Sequence, residues 1–148
     1  MRPVIYTVLT SIGLAMCLPA SAVAEENKLI GQWKVVSQTQ YGKVTEVKKK
    51  TIWEFTKDAR LLMPGTNRLD GKYKLDNSTS PWSIDIEHGE DRKAVGGGGP
   101  RKGIVKIKNG VMTLCVLGGA LPNRPAKFKS EKKTLTILYT MKLVVPDK

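Results

Sequence analysis

Apolar residues recur at every second position along most of this chain, the spacing of strands with one buried and one wet face. Trp33, Val35 and Ser37 alternate with Gln32, Lys34 and Val36, and Trp53 and Phe55 alternate with Glu54 and Thr56. Tyr73 and Leu75 stand between Lys72, Lys74 and Asp76; Ile84 and Ile86 between Asp85 and Glu87; Val105 and Ile107 between Lys106 and Lys108. No window long enough for a helix carries the 3.6-residue spacing. Turn signals separate the runs: Tyr41-Gly42-Lys43, Met63-Pro64-Gly65-Thr66-Asn67, Asp76 to Pro81, Lys108-Asn109-Gly110 and Ser130 to Lys133. Asn109-Gly110 is the strongest hairpin signal, because both residues tolerate the positive φ of a type I′ turn. The pattern predicts strands at about 31–40, 45–56, 59–63, 69–76, 82–88, 102–108, 111–117, 125–130 and 134–143. Eight or nine short antiparallel strands imply an all-β sandwich or barrel.

The first 24 residues break the rhythm. A basic start, Met1-Arg2, leads into an apolar stretch from Val4 to Leu18 and then Ala20-Ser21-Ala22-Val23-Ala24. These are the three parts of an export signal, with the cut after Ala24 and Ala22 as the alternative. The apolar run is short for a helix spanning roughly 30 Å of hydrocarbon. The expected mature domain is 25–148, exported to the periplasm or beyond, with no transmembrane segment. Its net charge is +11, from 24 basic and 13 acidic residues. A chain of this size buries roughly two-thirds of its unfolded surface, so no metal or disulfide staple is required. Only Cys115 survives signal removal, within Val111-Met112-Thr113-Leu114-Cys115-Val116-Leu117. That apolar setting suits a buried, inert thiol.

Gly31-Gln32-Trp33, opening the first strand, has the Gly-x-Trp pattern of lipocalins. A wider ordered set runs from Leu29-Ile30 and Lys34-Val35-Val36-Ser37 through Gly42-Lys43, Gly71-Lys72-Tyr73-Lys74-Leu75-Asp76 and Pro81-Trp82-Ser83-Ile84-Asp85-Ile86. It continues with Gly103-Ile104-Val105, Leu114-Cys115, Asn123-Arg124-Pro125-Ala126-Lys127-Phe128 and Leu135-Thr136-Ile137-Leu138. Together these resemble a lipocalin-like family of unknown function that is abundant in planctomycete bacteria. The resemblance implies an antiparallel barrel, supplies no catalytic residues, and implies that Trp33 plugs one end under a basic side chain from the last strand. Lys142 is the candidate for that partner, where lipocalins usually have arginine.

A barrel of eight strands is just wide enough for packed side chains or one small ligand. The inward set predicted to line a pocket is Val35, Trp53, Phe55, Tyr73, Ile84, Ile86, Val105, Ile107, Leu114 and Phe128. Such an apolar cup suits a small apolar or amphiphilic molecule. Alternation does not distinguish it from a filled core.

Catalysis is the weaker expectation. Asp85 and Glu87 share a strand face about 6.5 Å apart, near His88, Glu90 and Asp91. On the wet face they lack the low-dielectric surroundings that divide acid and base roles, and a single histidine excludes a multi-histidine zinc site. The expectation is a noncatalytic protein without cofactor or metal. Gly96 to Gly99 lacks the Gly-Lys-Ser/Thr ending of a phosphate loop. The basic excess, including Lys48-Lys49-Lys50, Arg101-Lys102, Lys106, Lys108 and Lys132-Lys133, suits an anionic envelope component such as polysaccharide, lipid or an acidic protein. No aromatic-basic motif points to nucleic acid.

Overall fold

A computed structural model describes residues 28–63, 71–88, 99–119 and 121–145, apart from the side chain of His88. Nine strands follow in order: β1 (Gly31–Gln40), β2 (Lys43–Glu46), β3 (Ile52–Phe55), β4 (Arg60–Leu62), β5 (Gly71–Asp76), β6 (Trp82–His88), β7 (Arg101–Lys108), β8 (Val111–Leu117) and β9 (Thr136–Leu143). Neighbours from β3 to β9 pair antiparallel, and β9 returns to β1, closing a barrel. β9 occupies one edge of β1 from Trp33 to Gln40. The other edge is shared, with β3 beside Gly31–Lys34 and β2 beside Ser37–Gln40. The wall therefore has eight strands, and β2 is an extra piece on the upper half of β1. No described helix is long and apolar enough to cross a membrane.

Local chemistry explains the corners. Asn109 and Gly110 have φ of 51° and 70°, the paired positive values of the predicted hairpin turn. Gly31 has φ of 135°, a backbone region that L side chains rarely adopt, which accounts for glycine before Gln32-Trp33. The predicted turn at 64–67 and the glycines Gly96–Gly98 lie outside the described residues.

Two strand boundaries differ from expectation. The run 45–56 is divided at Val47–Thr51, where three consecutive lysines leave the wall. Residues 125–130 form no strand, because β8 pairs directly with β9 and leaves no slot between them. A bulge on β1 pairs Val35 with Met141 but Ser37 with Thr140. The extra residue reverses the alternation: Trp33 and Val35 face inward, then Gln38 and Gln40 share the face of Tyr139 and Ile137. Ser37 is thus turned away from the interior, contrary to the plain period of two.

The core runs down the barrel axis and includes Trp33, Val35, Phe55, Ile84, Val105, Met112, Leu114 and Met141. Trp33 is fully buried, and its indole N–H donates to the Leu29 carbonyl at 2.8 Å. This bond folds the segment before β1 across the barrel end. Lys142 is not its basic cover. Lys142 pairs with Lys34 across the β1–β9 ladder, and both point to the outer face while Trp33 points in. Trp33→Ala is expected to lower stability by about 3–5 kcal/mol through the cavity it leaves. Chemical denaturation monitored by circular dichroism checks this, and a loss below about 1 kcal/mol would contradict its role as the plug.

Candidate functional site

Most of the barrel interior is filled. Val35, Trp53, Phe55, Tyr73, Ile84, Ile86, Val105 and Leu114 all lie in the buried core, and Ile107 packs half-buried against it. Phe55 and Tyr73 meet edge to face at 5.3 Å, and the Tyr73 hydroxyl donates to the Thr56 carbonyl at 2.8 Å. These contacts are those of a packed interior.

The exception is a cavity of about 20 Å³ toward the end opposite Trp33. Its walls are Trp53, Leu61, Met63, Ile86, Val116 and Tyr139, with Arg101 at the rim. That volume holds roughly one water molecule. The rings of Trp53 and Tyr139 meet at a tilt of 56°, 4.8 Å between centroids, and the two residues are 6% and 3% exposed. Among the described residues, nothing hydrogen-bonds the Trp53 indole N–H or the Tyr139 hydroxyl. Arg101 pairs with Ile86 and therefore starts β7 on the inner face. Gln38 and Gln40, turned inward by the bulge, bring amides to the same end of the barrel, where Gln38 Nε2 donates to Gln40 Oε1 at 3.3 Å. An apolar floor below a rim of amide, guanidinium, indole N–H and phenol results.

Of the ten predicted liners, Trp53 and Ile86 reach this cavity. Phe128 is displaced altogether. It lies outside the wall, half-buried, with the Lys106 ammonium 4.8 Å from its ring centroid. Its segment looks like a strand because Phe128 stands between Lys127 and Lys129, but the closed ladder excludes it. Leu61, Met63, Val116 and Tyr139 were the liners that the sequence did not single out. In β8, Val111, Cys115 and Leu117 put apolar residues on the outer face as well, so alternation loses its contrast there.

The connection from Gly118 to Leu135 wraps the outer wall. Arg124 anchors it, donating from Nη1 to the carbonyls of Ile84 (2.9 Å) and Gly103 (2.6 Å), and from Nη2 to Asp85 Oδ1 (2.6 Å). Lys102 Nζ donates to the Pro122 carbonyl at 2.9 Å. Ser130 is buried and donates to the Thr136 carbonyl at 2.7 Å. Beneath this strap, Ile104 and Cys115 are paired on the outer face of β7 and β8 yet buried. Cys115 is a free thiol whose S–H donates to the Lys129 carbonyl at 3.9 Å, and burial pushes its pKa up.

The acidic pair has a different role from that of paired catalytic carboxylates. Asp85 holds Arg124, while Glu87 is exposed on the outer face. Glu90 and Asp91 lie outside the described residues. Among the described residues, no group of three or more His, Cys, Asp or Glu side chains is placed to hold a metal ion. No known protein family, curated protein or solved structure matches the chain.

Arg124→Ala is expected to free the strap and uncover Cys115. Arg124 is 30% exposed, so the low end for a charge-assisted hydrogen bond, about 1.5 kcal/mol, is appropriate. The thiol should then react about tenfold faster with dithionitrobenzoate at mildly alkaline pH, as local opening becomes easier. An unchanged rate would mean that the strap is held by other contacts.

Proposed function

We propose that this protein is an exported, noncatalytic, lipocalin-like binding module that takes a small amphiphilic molecule at the barrel mouth opposite Trp33. The observation that carries this reading is the pair of nearly buried polar groups, Trp53 Nε1 and Tyr139 Oη, left without a protein partner beside a cavity. Buried polar groups are nearly always paired, so an unmet donor beside a void is a place for a ligand atom or water. The apolar part of the ligand rests on Trp53, Leu61 and Met63. Met63 is unbranched and adaptable, which suits a floor that deepens as a ligand enters. The polar part meets Arg101, whose fixed charge favours a carboxylate or phosphate over a neutral head.

Export is supported by the three-part segment at 1–24, and lipocalin kinship by Gly31-Gln32-Trp33 leading into a barrel whose first tryptophan is buried. Two titrations followed by tryptophan fluorescence test the reading, one with decanoate and one with decanol. Decanoate should bind more tightly. Arg101→Gln should weaken decanoate about tenfold, the effect of losing one charge-assisted hydrogen bond, and leave decanol unchanged. Tyr139→Phe should lower affinity for both while leaving stability nearly intact, because it removes an unpaired hydroxyl. Failure of both amphiphiles to bind, with no co-purifying small molecule in native mass spectra of protein from its host, would refute the pocket.

A further inference from the structure

The closed end of the barrel carries a second surface, unrelated to the mouth. On the outer face, Lys34 pairs with Lys142, Lys142 with Val111, and Val111 with Lys108. Three lysines thus lie in one row across four adjacent strands. With strands about 4.8 Å apart, the row spans about 14 Å. All three are exposed, and among the described residues none has an ion-pair partner. Like charges directly opposite each other, as Lys34 and Lys142 are, destabilise a ladder. The neighbouring Glu54 accepts from Gln32 Nε2 at 3.1 Å and forms no ion pair with these lysines.

Below this row a surface groove of about 450 Å³ opens between the segment before β1 and the β7–β8 hairpin. Ile30, Ile107 and Leu143 give it an apolar lining over Trp33, and Lys28 and Lys108 flank it, with no carboxylate among the lining residues. Leu143 is 41% exposed and Val145 73% exposed. Exposed aliphatic side chains beside the unpaired Lys34, Lys108 and Lys142 are the combination that a bilayer with anionic headgroups satisfies on both counts. A soluble polyanion would match the lysines and leave the aliphatic side chains in water.

We infer that the Trp33 end of the barrel is a docking surface for anionic lipid bilayers, with Lys34, Lys108 and Lys142 against the headgroups and Leu143 and Val145 entering the interface. This goes beyond the ligand site at the mouth and does not depend on it. The test is co-sedimentation of the chain from Glu25 onward, which contains every strand of the closed barrel, with vesicles of phosphatidylglycerol and phosphatidylcholine or of phosphatidylcholine alone. Binding to the anionic vesicles should fall with salt. Each of Lys34→Gln, Lys108→Gln and Lys142→Gln should lower partitioning about fivefold, and the triple variant about a hundredfold. Leu143→Ser should lower it further at high salt, where the electrostatic part is screened. Because the three lysines are exposed, thermal melts of the variants should match or exceed the parent, confirming that they fold. A Lys43→Gln, Lys132→Gln, Lys133→Gln variant has the same charge loss at the opposite end of β1 and should lose far less. Equal loss in that variant would overturn the surface in favour of diffuse charge. Binding to dextran sulfate but not to anionic vesicles would overturn it in favour of a polyanionic polymer.

Discussion

Closure of β9 onto β1 is the constraint on which the other features depend. Because β9 takes one whole edge of β1, β2 and β3 must share the other, and the chain between them leaves the wall at its lysine run. Closure also removes the free edges of the eight-strand wall and leaves an outer edge on β2. The bulge at Val36 is part of the same solution. It bends and twists β1 where its neighbour changes from β3 to β2, and in doing so it turns Gln38 and Gln40 toward the interior.

The strap shows how a surface residue is recruited to structure once the wall is complete. Arg124 reaches two main-chain carbonyls on adjacent strands and one carboxylate, a geometry that a lysine ammonium would not reproduce with its single nitrogen. The strap in turn allows Ile104 and Cys115 to be apolar on a face that elsewhere is wet. The wall near β7 and β8 is therefore apolar on both sides, with the barrel core on one side and the strap on the other.

That arrangement also explains which features were legible in the sequence. Strands with one wet face announce themselves, so the inward sets of β3, β5, β6 and β7 could be read from Trp53, Phe55, Tyr73, Ile84, Ile86 and Val105. The Asn109-Gly110 turn and the Trp33 plug were equally plain. Where both faces are covered, as in β8, the period of two disappears, which hid Val116 as a liner. A bulge carries no residue signature of its own here, so Ser37 looked inward and Gln38 did not. Phe128 failed for a different reason: local alternation is blind to whether the ladder still has a vacant edge. Register decided Lys142 in the same way, since one position separates the inner face from the outer.

The packed middle of the barrel separates its two ends physically. Phe55, Ile84, Val105, Met112 and Leu114 are buried in the core between the Trp33 plug and the cavity at Tyr139, and no channel joins the two among the described residues. Rigid packing of this kind leaves neither end a bistable element through which to bias the other, and coupling needs such an element. Substitutions at Arg101 and at Lys142 should therefore act additively on stability, as distant sites without shared partners do. The fold thus permits one end to hold a soluble molecule while the other rests on a charged surface. The mouth lies at the other end of the barrel, so anchoring through the lysine row would keep it clear of that surface.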